Sequence, residues 1–310
     1  MTAANCSPQW LCKMQEYRLT CLTLVLLTGF ALRVSYLAVD RFHADEALYA
    51  GWALSILDHD RLLLSAPVDK PPLYLYALAC SFRLFGRSEI AARQTSLAAS
   101  MLSVALVYRL GRRLYGPKVG LFGALFLALS PFDILFARTA FTDSLLVLCM
   151  LGALCAAGVG RWFMVGLSLG LAFATKQHAL LLIPLVLATV LLQLAPARKN
   201  WPMALLAAGR TLSLIVLGFA LPFGAVMAWD AARWSTRPSF WQQSAMSYGG
   251  LTWAPVSKWG ERWTEWLGWT RYLVGSPLLG VLLLLGCVGL LILNWRVCPR
   301  KRQTWFDSLW

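Results

Sequence analysis

Eight stretches of the chain, roughly 19–39, 94–110, 119–136, 144–160, 162–175, 179–195, 204–228 and 273–294, are apolar over lengths near the ~20 residues that cross a bilayer. A 310-residue chain cannot hide so many long apolar runs in one water-soluble core. Composition agrees: 59% of residues are hydrophobic and 14% charged, where a soluble domain carries about a quarter charged residues. Ordinary soluble enzymes are thereby excluded. Lipid offers no partner to a free backbone amide, so the runs must be helices. The expected fold is all-α, a polytopic transmembrane helical bundle of about eight spans. The first run stays as a span, because a secretory signal core is only about 7–15 residues long.

Charge then sets the sides. The stretch Pro72–Gly86 opens with Pro71-Pro72, contains Arg83 and is short for a span, so it reads as a helix at the membrane interface. With it outside the count and the N-terminus cytoplasmic, the inner segments hold 14 of the 28 cations and only Glu16 and Asp307 among the 14 acids. That is the positive-inside asymmetry of a cytoplasmic-membrane protein. The +14 net charge is therefore mainly an orientation signal, and no nucleic-acid partner is expected.

The arrangement predicts one transmembrane domain over 1–310, incomplete at its C-terminus, because Trp305–Trp310 resumes an apolar pattern after the basic cluster Arg296–Arg302. Two outer loops are long, 40–92 and 229–272. The second holds eight of the 15 tryptophans, and Trp259, Trp263 and Trp266 have the spacing of one helix face. An aromatic belt at the lipid headgroups is the plain reading, a sugar-stacking platform the sharper one. The eight cysteines show no metal or CxxC spacing and are expected as free thiols.

Four segments place polar groups at one depth on the outer face: Asp45-Glu46, Asp69-Lys70, Arg138 with Asp143, and Lys176-Gln177-His178. Each alone reads as a solvated loop end. Together, ionisable groups at the edge of an apolar slab favour a site. A sugar carried on a lipid phosphate needs a carboxylate to take the acceptor proton and cations to stabilise the departing phosphate. Nucleotide-sugar chemistry fits less well, since no GxGxxG loop or soluble dinucleotide-binding unit is present.

The set His43–Tyr49, Asp69-Lys70-Pro71-Pro72, Arg93, the basic turn Arg109–Lys118, Arg138 to Asp143 and Ala172–Lys176 resembles the polyprenyl-phosphate-dependent glycosyltransferases of the GT-C class. The similar branch contains the protein O-mannosyltransferases and the lipid A aminoarabinose transferase. The resemblance covers roughly residues 40–195 and implies juxtamembrane helices near 46–58 and 72–86. It implies an inverting transfer from a polyprenyl-phosphate-linked sugar to a glycan, lipid or protein hydroxyl. It also implies Asp45 as catalytic base with Glu46 beside it, Asp143 as the second acid, and Lys70, Arg138, Lys176 and Arg41 at the donor phosphate. Asp69, Tyr49 and His178 would support them. Leu48 departs from the aminoarabinose enzyme, which has an arginine before the Tyr; Arg41 or Arg138 is the expected substitute. No cofactor is required, although a divalent metal occurs in some members and Asp45, Asp69, Asp143 and His178 could offer ligands.

The competing class is a multi-pass transporter or lipid-phosphate binder without transferase chemistry. Transporters place ionisable groups at mid-span, whereas here they gather at one border. A structural partner in polymer export is a third reading.

Overall fold

The structure is a computed structural model and describes residues 9–35, 37, 41–194, 201–248, 255–276 and 278–286. Every regular element among them is helical: α1 Gln9–Val34, α2 Ala44–Asp58, α3 Leu73–Phe85, α4 Glu89–Tyr115, α5 Pro117–Leu129, α6 Pro131–Ala137, α7 Asp143–Gly158, α8 Trp162–Thr175, α9 Ile183–Leu194, α10 Trp201–Ala231, α11 Phe240–Tyr248 and α12 Trp259–Val274. Helical turns of the 3-10 kind lie at Gln177–Leu182 and Val256–Lys258.

Residues 1–129 with 133–252 form one compact unit, and 130–132 with 253–310 a second. In the second, Trp259, Trp263, Trp266 and Trp269 of α12 are all exposed.

Three helical stretches, Tyr17–Val34, Glu89–Tyr115 and Leu205–Ala231, are long and apolar enough to cross a membrane among the described residues; α5 and α6, bent by 60°, make a fourth if counted as one span. The sequence predicts about eight over the whole chain. The runs 144–160 and 162–175 do become helices, but α7 has 16 residues and α8 has 14. At 1.5 Å per residue these reach about 24 and 21 Å, short of the ~30 Å hydrocarbon core. The run 179–195 is shared between a 3-10 turn and α9. Of the run 273–294, residues 277 and 287–294 lie outside the described residues, as does the Trp305–Trp310 stretch.

Glycines bring the helices together. Between α4 and α5 the chain turns at Gly116, whose φ of +94° suits a residue without Cβ. A Cβ on Gly120 would come within 2.6 Å of the Tyr108 carbonyl. On α8, Gly166-Leu167-Ser168-Leu169-Gly170 presents two glycines one turn apart to α10, and Gly218 of α10 faces Phe163 in return. Small residues at this spacing let helix backbones touch, and such close packing is one of the forces that associate helices in lipid.

The break between α5 and α6 is stapled by α1. Arg33, fully buried, donates to the Leu127 and Ala128 carbonyls, to Ser100 Oγ and to Asp133. Its guanidinium satisfies carbonyls at the end of α5 that have no next turn to accept from. Of the cysteines, Cys21, Cys80, Cys149 and Cys155 are free thiols; nothing is described for the side chains of the other four.

Candidate active site

α2 begins with a capping box. His43 Nδ1 accepts from the Asp45 amide at 3.3 Å, and Glu46 reaches back to the His43 amide at 2.9 Å. Two acids in the first turn also meet the positive end of the helix dipole. Their side chains then part. Asp45 is exposed, faces a cavity and has no ion-pair partner among the described residues. Glu46 is 2% exposed and pairs with buried Arg93 at 3.1 Å while accepting from the Ala140 amide at 2.8 Å. Arg93 also donates to the Leu37 and Arg41 carbonyls. This buried pair thus ties the start of α2 to α4 and to the loop that leads to Asp143.

The segment delivering Asp69 and Lys70 is equally fixed. Asp60 accepts from the Leu64 and Ser65 amides, both at 2.8 Å, and from Ser65 Oγ. Burial would raise the Asp60 carboxyl, but these hydrogen bonds outweigh it and hold the group below its ordinary value. Leu63, buried with φ of +56°, is held by Arg233, which donates to its carbonyl at 3.0 Å and to that of Ala66 at 2.7 Å. Beyond this loop, Lys70 Nζ bonds Asp69 at 2.8 Å and Tyr248 Oη at 3.2 Å. It lies 5.2 Å from the Tyr49 ring centre and 5.5 Å from that of Tyr248. Burial alone would lower the Lys70 pKa, yet its hydrogen bonds and charge interactions with Asp69 and Tyr49 hold it above the ordinary value, so it stays an ammonium. Tyr49, pushed up to about 12 chiefly by burial, stays a phenol.

A second lysine and acid face the same cavity. Lys176, just past the end of α8, bonds Asp143 at the start of α7 at 2.7 Å. His178 follows in the 3-10 turn. Burial, with Lys176 and then Lys70 nearby, keeps its imidazole below the ordinary value against a smaller opposing effect of Asp143. The neutral form of the imidazole is thereby favoured.

The cavity has a volume of about 780 Å³. Asp45, Tyr49, Lys70, Asp143, Lys176 and His178 all line it, although 133 positions separate the first from the last. Asp69 stands behind Lys70. Glu46 is turned into the protein, and neither Arg41 nor Arg138 is part of the lining. Arg41 instead lends its backbone carbonyl to Arg93.

Further residues lining the cavity have no role assigned from the sequence. Gln177 donates to the Asp69 carbonyl at 3.1 Å and to Ser244 Oγ at 3.0 Å, joining three segments. Trp241, Ser244, Ala245 and Tyr248 come from α11, inside what reads in sequence as a tryptophan-rich interfacial loop. Trp229 is likewise buried, under Phe240. Apolar Phe136, Phe141, Leu180 and Leu181 complete the wall, with Leu181 76% exposed. The cavity wall therefore combines charged groups with apolar side chains.

The four metal candidates do not form a ligand set as arranged. Asp69 and Asp143 are each paired with a lysine, and no three His, Cys, Asp or Glu side chains come together among the described residues.

Residues 69–220 match the sequence model of the family described as dolichyl-phosphate-mannose-protein mannosyltransferase. Over 179 residues the chain is 31% identical to a protein of Bacillus subtilis (strain 168) named "Putative mannosyltransferase YycA", a match taking in 55% of this chain and 25% of that protein. Among solved structures, ArnT from Cupriavidus metallidurans in its apo state superposes with a TM-score of 0.54 and 18% identity, over 74% of this chain and 44% of ArnT. The chain spans a quarter of the length of the first and under half of the second. The likeness to ArnT establishes a polytopic helical fold of the same kind.

Proposed function

We propose that this protein, similar in sequence to the protein mannosyltransferases and in fold to ArnT, is a GT-C type enzyme that moves a sugar from a polyprenyl-phosphate donor to an acceptor hydroxyl. The observation that carries the reading is the cavity itself. It brings a carboxylate without an ion-pair partner among the described residues, Asp45, together with two lysines and with apolar Phe136, Leu180 and Leu181 in one wall. A lipid-linked sugar offers both kinds of partner, a charged phosphate with its sugar at one end and a hydrocarbon tail at the other.

In this reading Asp45 takes the proton of the acceptor hydroxyl as its oxygen bonds the anomeric carbon, while the bond from that carbon to the phosphate oxygen breaks. Polyprenyl phosphate leaves with the bonding electrons, its charge met by Lys70. Attack opposite the leaving phosphate inverts the anomeric centre. Lys176 and Asp143 hold each other at the cavity edge, where Asp143 is free to exchange its lysine for a sugar hydroxyl. Positive charge concentrated in 109–118 and the other inner segments supports a cytoplasmic N-terminus and an active site on the outer face of the cytoplasmic membrane.

The test is Asp45→Asn in the purified protein. Its side chain is exposed at a helix end, so folding should be preserved within about 0.5 kcal/mol. Transfer should fall by at least about 100-fold, the lower range for a general base. Near-normal turnover would remove Asp45 from the chemistry.

A further inference from the structure

We propose that Tyr248 is a ligand of the donor phosphate, contributed by α11 to complete the site around Lys70; this rests on the transferase reading above.

The helix is anchored at one end and reaches over the cavity at the other. At its start, Phe240 is fully buried, with Phe173, Trp229 and Trp241 around it, and its amide donates to Asp230 at 2.9 Å. One turn on, Ser244 accepts from Gln177. At its end, Tyr248 is 66% exposed, yet its hydroxyl lies 3.2 Å from Lys70 Nζ. No packing requirement holds a ring this exposed beside a lysine. Its partner is the cation.

Lys70 Nζ therefore has three neighbours, Asp69 and the rings of Tyr49 and Tyr248. An ammonium carries three donor hydrogens, and Asp69 takes one. A phosphate oxygen approaching from the cavity would accept from Lys70 where Tyr248 Oη now does. The displaced hydroxyl, with its own hydrogen free, can then donate to the same phosphate. The phosphate would thus bind between an ammonium and a phenol from segments 178 residues apart.

The experiment measures binding of polyprenyl phosphate without sugar to the purified full chain in detergent, together with KM and kcat for a polyprenyl-phosphate sugar. Tyr248→Phe keeps the ring and removes only the hydroxyl. It should weaken polyprenyl phosphate binding roughly tenfold, the loss of one hydrogen bond to a charged group, and raise KM with kcat little changed. Met246→Ala, an exposed side chain on the same helix outside the cavity lining, should bind as the parent does. Inorganic phosphate at equal concentration should compete poorly, because it lacks the tail. Unchanged binding in Tyr248→Phe, with the parent still binding and turning over donor, overturns the assignment of Tyr248 and leaves the transferase reading standing. Equal loss in Met246→Ala overturns it too, since the effect would belong to α11 as a whole. Competition by inorganic phosphate as strong as by the lipid form overturns the lipid-phosphate site. A parent protein that binds no polyprenyl phosphate contradicts the transferase reading itself.

Discussion

Asp45 and Glu46 are neighbours in the chain and have opposite roles. Successive residues of a helix point about 100° apart, so one acid of the pair can face the cavity only if the next turns toward the protein. Glu46 does so and neutralises Arg93, both nearly without exposure. Removing its charge strands a buried guanidinium. Glu46→Gln should cost about 3 kcal/mol or more, read as a lowered thermal midpoint in detergent. Activity would fall with it, through displacement of α2. An unchanged midpoint with activity lost would put Glu46 in the chemistry instead. The sequence makes the doublet visible but not this division, because the partners lie 47 and 94 positions away. The same holds for Arg41 and Arg138, whose charge and depth match a phosphate site but which take no part in the cavity wall.

At the scale of elements, the breaks were legible and the lengths less so. Pro117, Pro131 and Gly116 punctuate the chain where helices start or stop. The acids and lysines of the site fall at helix ends because an apolar helix tolerates charge only there. Hydropathy alone could not separate a full span from a shorter apolar helix, and α7 and α8 are the shorter kind. Nor could it extract α11 from its aromatic surroundings. Its pattern in sequence resembles an interfacial belt, while its position depends on a cap from Asp230 and on Phe173 of another helix. The α8 and α10 pair gives a direct test of packing. A Cβ on Gly166 would collide with the Ile215 carbonyl, whereas Gly209 has nothing within 4 Å. Gly166→Ala should lose about 1–3 kcal/mol of stability by overpacking. Gly209→Ala should be neutral or slightly stabilising, as alanine favours a helix. A thermal melt of both variants checks the contrast; equal midpoints would contradict close contact of the two backbones.

Over the whole molecule, one unit carries the three long apolar helices, the buried arginines Arg33, Arg93 and Arg233, and the cavity, which draws on segments from Asp45 to Tyr248. Most of it falls within the part related to mannosyltransferases, residues 69–220, while α2 on one side and α11 on the other lie outside that match. The site as folded is thus wider than that family match. Charge sorting, helix breaks and the motif order are the features of the sequence that support the proposed reading as a membrane transferase. The identity of the sugar has no counterpart in hydropathy or spacing. The decisive measurement is therefore donor turnover: the purified protein is incubated with a panel of polyprenyl-phosphate sugars and an acceptor mixture, and released polyprenyl phosphate is followed. Release of polyprenyl phosphate from at least one donor by the parent, abolished by Asp45→Asn, is the predicted result. Tight donor binding with no bond cleavage in any member of the panel would contradict it and favour a binder or transporter.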